Sequence, residues 1–191
     1  MKRDNEKFII IMKRVWLAIL LVFIVIRFIL NPQGIKVLLF NISPNFINLV
    51  LFLGIIICPI IFWIPKKREV KWLKIAYNII TSIILVFSLI IYLFFYSEIK
   101  YFNFKSSYGN RTLIVEEDSF LLSGRSHFYK KSFGIFIKSL NQEISTDDGF
   151  RPFSTNSYQL IWEDKDTVRI DYDFGSTGIW KSETINFKRS Y

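Results

Sequence analysis

One histidine, a few short acidic clusters and one pair of phenylalanines around an arginine are the side chains of this chain with chemistry to offer. His127 sits in Ser123-Gly124-Arg125-Ser126-His127 and is the only histidine of 191 residues. A lone imidazole can act as a general base but cannot build a multi-histidine metal site. No Gly-x-Ser-x-Gly elbow or other nucleophile motif accompanies it, so the expectation is an ordinary surface or strand histidine, and a chain that is not an enzyme. The clusters Glu116-Glu117-Asp118, Asp147-Asp148-Gly149, Glu163-Asp164 and Asp171-Tyr172-Asp173 carry oxygens suited to calcium. None has the spacing of an EF-hand loop, and turns and wet strand faces use the same residues, so neither a metal nor any other cofactor is expected. Phe150-Arg151-Pro152-Phe153, just after the Asp-Asp-Gly turn, combines the aromatic and Arg side chains that dominate binding hot spots. Asp147, Asp148, Phe150, Arg151 and Phe153 are therefore the candidate binding surface. The competing expectation is that both Phe rings plug the edge of a β core.

The elements that carry these residues fall into two contrasting halves. With 51% hydrophobic residues and 20 Phe, the chain is too apolar for an ordinary soluble domain of its size. The excess lies before Tyr96. Residues 9–30 are apolar except for Lys13, Arg14 and Arg27, and a 20-residue helix covers about 30 Å, the thickness of the hydrocarbon core. A span over about 10–30 puts all three charges within a turn or so of an end, where their long stems reach the headgroups. A span beginning at Val15 leaves Arg27 deeper and in need of a functional partner. The absence of a small-x-small cleavage site in Ile29-Leu30-Asn31-Pro32-Gln33-Gly34 favours an uncleaved anchor over a signal peptide.

A second span covers 46–64, closed by Trp63, Pro65 and a basic cluster, with Gly54 and Cys58 four apart as a small-xxx-small pair. A third covers 75–96 and ends in an aromatic belt of Tyr92, Phe94, Phe95 and Tyr96; its polar residues Asn78, Thr81, Ser82 and Ser88 read as helix glue. The run 35–40 is too short to cross and is expected to lie in the interface or pack on the bundle.

Charge distinguishes the halves again. Up to Tyr96 there are 12 of the 25 basic residues but 3 of the 16 acidic ones. That basic excess lies between apolar runs, where it orients spans and meets anionic lipid, so nucleic acid is not an expected partner. Lys2, Arg3, Lys7, Lys13 and Arg14 precede or open span one, and five more basic residues crowd 66–74, against Lys36 alone between spans one and two. The positive-inside rule then puts the amino terminus and the 66–74 loop in the cytoplasm and everything after Tyr96 outside. No Asp or Glu occurs between Glu6 and Glu69 or between Glu69 and Glu98, so the spans lack the titratable group that a proton-coupled carrier needs at membrane depth. The single cysteine, Cys58, excludes an intrachain disulfide. Abundant Ile, Phe, Asn and Lys suggest an AT-rich bacterial coding bias and hence a one-membrane envelope.

After Tyr96 continuous apolarity gives way to alternation. Val168-Arg169-Ile170-Asp171-Tyr172-Asp173-Phe174 is apolar at every even position, the period of a strand with one wet face. With 158–162 before it and 179–187 after it, it predicts an antiparallel meander joined by Glu163-Asp164-Lys165-Asp166 and Gly175-Ser176-Thr177-Gly178. Upstream, 111–116 and 119–122 suggest a hairpin turning at Glu117-Asp118, 133–137 a further strand, and 139–157 a long loop. The fold class is thus three transmembrane α-helices in 1–96 followed by a small antiparallel all-β domain in 97–191, a sandwich or open barrel of six or so strands.

The functional expectation is a multi-pass cell-membrane protein that displays an extracytoplasmic interaction module, an envelope accessory or immunity-type protein, with the lipid bilayer and a protein or envelope component as partners. The alternative is a non-catalytic subunit of a transport or secretion complex. The orientation is directly testable. In a Cys58→Ser background, Ser176→Cys should react with a membrane-impermeant thiol reagent applied to intact cells; labelling that appears only after lysis would invert the topology.

Overall fold

In the computed structural model, the described residues are 2–39, 42–62, 71–175 and 178–188, with the side chains of 2–5 and Phe62 outside the description. The predicted closure of span two at Trp63 and Pro65, most of the basic 66–74 loop and the centre of the Gly175–Gly178 turn lie outside these residues. The chain divides into two compact units, one made of Met1–Pro32 and Asn45–Tyr96 and the other of Gln33–Pro44 and Ser97–Tyr191.

The first unit holds three helices long and apolar enough to cross a membrane. Helix α1 (Lys2–Ile24) continues through a π-helical stretch, Val25–Leu30, and a short 3₁₀ turn, Asn31–Gln33. Helices α2 (Pro44–Phe62) and α3 (Lys71–Phe95) coincide with the second and third apolar runs. Pro59 lies inside α2 and has no N–H to offer the carbonyl of Ile55, four residues earlier. The Trp16 indole N–H of α1 donates to that oxygen at 2.9 Å instead, and Tyr77 Oη of α3 donates to the neighbouring Ile56 carbonyl at 2.8 Å. Each bond satisfies backbone in a setting without water and pins two helices together. Gly54 faces Ile19 of α1, which is the close approach its place in the small-xxx-small pair suggests. Ser82 and Ser88 donate back to their own helix, to the carbonyls of Asn78 and Ile84, and Thr81 is buried.

The second unit is built from two antiparallel sheets. Strands β2 (Lys100–Lys105), β3 (Thr112–Phe120), β4 (Ser123–Lys131) and β5 (Phe136–Asp147) run as a meander, and β1 (Ile35–Val37) pairs on the free edge of β5, giving the order β1-β5-β4-β3-β2. The other sheet is the meander β6 (Tyr158–Trp162), β7 (Thr167–Asp173) and β8 (Trp180–Asn186). Leu113, Val115, Phe128 and Leu140 of the larger sheet meet Val168 and Ile170 of the smaller, all fully buried. The two sheets therefore share one core as a sandwich. Phe153 sits at its centre, its ring centroid 4.7 Å from that of Tyr158 and 6.0 Å from those of Phe102 and Phe104.

Four sequence readings are corrected. The run beginning at Ile35 is not an interfacial segment of the membrane region: Ile35, Lys36 and Val37 pair with Lys138, Ile137 and Phe136, so the β unit recruits chain from between the first two spans. The reading of 1–96 as wholly a membrane region gives way at 33–44 for the same reason. Glu117-Asp118 is not a turn, because β3 runs through it; the hairpin turns instead at Leu121-Leu122, with Phe120 opposite Ser123 and Leu121 at φ 54°. The stretch 139–157 is not a long loop, since β5 extends to Asp147. Its alternation is interrupted at Asn141, which has φ 52°, donates its N–H to the Ser139 hydroxyl and accepts that hydroxyl on its side-chain oxygen, where the pairing with β4 slips between His127 and Tyr129.

Candidate functional site

The predicted binding segment is an internal brace of the sandwich. Asp148 and Gly149, both at positive φ, form a tight turn closed by the Phe150 N–H donating to the Asp147 carbonyl at 2.9 Å. Phe150 then passes so close to two glycines that a methyl group would fit at neither. A Cβ on Gly124 of β4 would lie 2.0 Å from the Phe150 carbonyl oxygen, and one on Gly175 2.6 Å from the Phe150 Cβ. Arg151 donates to the Ser119 hydroxyl at 2.8 and 3.0 Å and to the Glu98 carboxylate at 2.7 Å. Phe153 is 1% exposed. Holding all of this is Glu117, itself 1% exposed, whose carboxylate accepts the N–H groups of Phe153 at 2.7 Å and Ser154 at 2.9 Å and the Ser154 hydroxyl. Of the five candidate residues, then, Phe153 is core, Phe150 is half-buried against the two glycines, Arg151 is engaged within the unit, and Asp147 and Asp148 occupy an exposed turn. Among the described residues, no three or more His, Cys, Asp or Glu side chains are grouped to hold a metal ion.

A second constellation lies on the face of the five-stranded sheet that turns away from the core. Because β3 alternates, Leu113, Val115 and Glu117 enter the sandwich while Ile114 and Glu116 emerge on the opposite side. Here they meet a separate small cluster of Ile114, Tyr129 and Ile137, flanked by Leu38 and Tyr101. Glu116 is 4% exposed, and Lys36 of β1 reaches it with Nζ 2.6 Å from Oε2 while lying 4.9 Å over the Tyr129 ring. Burial, reinforced by the Glu116 charge, pushes the phenols of Tyr101 and Tyr129 far above the ordinary range for tyrosine. The Tyr101 hydroxyl is buried beside the Glu116 carboxylate. Toward the turn end of the same face, Arg125 pairs with Asp118 at 3.3 Å and His127 Nδ1 lies 3.1 Å from Glu143. His127 is thus a strand residue opposite Glu116, with no hydroxyl nucleophile placed beside it by any of these bonds.

At the other end of the face a groove of about 300 Å³ opens between Leu38, Ile114 and Ile137 on its floor and Asn103, Lys105 and Lys131 on its walls. Both lysines are exposed, and neither forms an ion pair among the described residues. The groove therefore offers a shallow apolar floor between two uncompensated positive charges, a surface suited to an acidic segment with apolar side chains. Sequence reading missed it because it is assembled from four strands, β2, β3, β4 and β5, together with Leu38, which precedes two of the apolar helices in the chain. The one local signal was Lys100-Tyr101-Phe102-Asn103-Phe104-Lys105, whose alternation marks a strand with Asn103 and Lys105 on one face.

No family model matches the sequence, and no curated protein or solved structure matches it significantly.

The buried phenols give the β unit a defined response to alkali. A tyrosine whose folded-state value is raised contributes stability that is fully present below its unfolded value of about 10 and is lost as pH climbs beyond it. Stability to urea, followed by Trp162 fluorescence, should be flat up to about pH 9 and fall steeply above about pH 10. Tyr101→Phe should reduce that fall. Phenolate absorbance from all tyrosines rising together near pH 10, with the fold intact, would contradict the burial of both rings.

Proposed function

We propose that the chain is a non-catalytic, multi-pass protein of a bacterial cell membrane that displays its β-sandwich outside the cytoplasm as a binding module, and that the module takes an acidic segment of an envelope partner in the Lys105–Lys131 groove. The observation that carries this reading is the pair of uncompensated lysines beside the exposed Ile135 and half-buried Leu38 on a sheet face otherwise made of matched charges. Orientation is supported by the distribution of basic residues, ten around the amino-terminal end of span one and in 66–74 against one between spans one and two. Connectivity bears on the number of crossings, whichever side the β unit faces. Residues 35–37 pair with 136–138, so both segments share one side of any membrane and the chain between them must cross it an even number of times, which α2 and α3 supply.

The acidic face of the partner would gain on-rate and register from the two lysines, and affinity from the apolar surface of Leu38 and Ile135.

A photo-crosslinking residue at Asn103 in the groove should capture a partner in living cells, one at Gln159 on the other sheet should not, and the double substitution Lys105→Glu, Lys131→Glu should abolish the Asn103 adduct. Adducts formed only from the lipid-facing side of α3, for example from Phe87, would overturn this reading in favour of a membrane-complex subunit joined through its helices.

A further inference from the structure

Arg27 is a charge without a counter-charge. It lies in the π-helical stretch that ends the first span, three residues and about 4.5 Å of helix rise before Leu30. No Asp or Glu occurs in the chain between Glu6 and Glu69 or between Glu69 and Glu98. Among the described residues the guanidinium forms neither a hydrogen bond nor an ion pair. Leaving a guanidinium unpaired at the edge of the hydrocarbon is costly, and π-helical insertions recur where a helix must re-aim a functional side chain.

The side chain lines a pocket of about 250 Å³ formed by all three helices. One wall is aromatic, with the rings of Phe23 and Phe52 6.4 Å apart and those of Tyr92 and Tyr96 6.5 Å apart. The two tyrosines belong to the aromatic belt that marks headgroup depth. Asn48 of α2 lines the same pocket, and its Oδ1 is buried without a hydrogen-bond donor. A buried amide oxygen in that state is itself costly, and a donor group on a ligand would relieve it.

The geometry points to a headgroup site for an anionic phospholipid whose headgroup carries free hydroxyls. Its phosphate meets the fork of the Arg27 guanidinium, a headgroup hydroxyl donates to Asn48 Oδ1, and an acyl chain follows Phe23 and Phe52 into the hydrocarbon. The two unsatisfied groups select different features of the same molecule. Arg27 demands the net negative charge, which separates phosphatidylglycerol from phosphatidylcholine. Asn48 demands the hydroxyl, which separates phosphatidylglycerol from phosphatidic acid. The site belongs to the helical unit and is independent of the groove on the sheet.

The full-length protein, delipidated in detergent and titrated with dioleoyl phosphatidylglycerol, phosphatidylcholine, phosphatidic acid or glycerol phosphate, can be read by native mass spectrometry for lipid retained per chain. One phosphatidylglycerol should be held at about tenfold lower concentration than phosphatidylcholine. Arg27→Gln should abolish that preference, while Arg14→Gln, thirteen residues earlier and outside the pocket lining, should leave it unchanged. Asn48→Ala should reduce phosphatidylglycerol retention to that of phosphatidic acid. Equal retention of phosphatidylglycerol and phosphatidylcholine by the unmodified chain would overturn the proposal without recourse to any variant. So would a preference that survives Arg27→Gln, or saturation by glycerol phosphate alone, which would show a phosphate site with no lipid component.

Discussion

Three residues, Ile35, Lys36 and Val37, pair with Lys138, Ile137 and Phe136 across a hundred residues of intervening chain that include two apolar helices. That ladder is short, but much of the β unit's outer sheet face depends on it. It covers the edge of β5, which would otherwise be an open template for pairing with another chain. It brings Lys36 to Glu116, a carboxylate that is almost fully buried and would be strongly destabilising without its cation. It also delivers Leu38 to the floor of the groove. Closing so long a loop costs only slowly growing entropy.

The two units solve the same problem of buried polar groups by different means. In the helices, the carbonyl that Pro59 leaves without a donor is taken by Trp16, and serine hydroxyls fold back on their own backbone. In the sandwich, two adjacent glutamates are buried on opposite faces of one strand, Glu117 bracing the 147–154 corner and Glu116 meeting Lys36. Asp166 extends the pattern at the lower edge of the core, where it is 5% exposed and pairs with Arg111 at 3.0 Å and Lys188 at 3.6 Å. With these carboxylates committed to the fold, Lys105 and Lys131 are left as charges without an ion pair on the outer sheet face among the described residues.

How much of this was legible follows from which faces are wet. The spans were readable because lipid demands unbroken apolar runs, and β6 and β7 because each has one face in water and alternates cleanly. In β3 the side chains alternate between two faces that are both covered, so no polar–apolar alternation marks it. Leu113 to Glu117 are all buried, so its sequence reads as an apolar run that stops at acidic residues, and Glu116-Glu117-Asp118 mimics a turn. The true turn, Leu121-Leu122, carries none of the residues that usually mark one. β5 was hidden by the bulge at Asn141, and β1 by its position among membrane segments. The candidate segment 147–153 had hot-spot residue types, but residue type cannot tell a ring that fills a core from one that waits for a partner. Phe153 does the first. The groove could not be read at all, because its walls come from strands distant in the chain.

The central claim, that chain lying between the first two spans completes the sheet formed after the third, can be tested by one covalent measurement. Ile35 and Lys138 are directly opposed in the β1–β5 ladder, and opposed residues of an antiparallel pair lie about 4.5–5.5 Å apart at Cα, within reach of a disulfide. Ile35→Cys and Lys138→Cys, introduced together in a Cys58→Ser chain in native membranes, should form an intramolecular crosslink rapidly under mild oxidation, visible as a mobility shift reversed by reductant. Crosslinking no faster than in a control pairing Ile35→Cys with Lys181→Cys on the other sheet would mean that the two segments do not meet, and the account would fail.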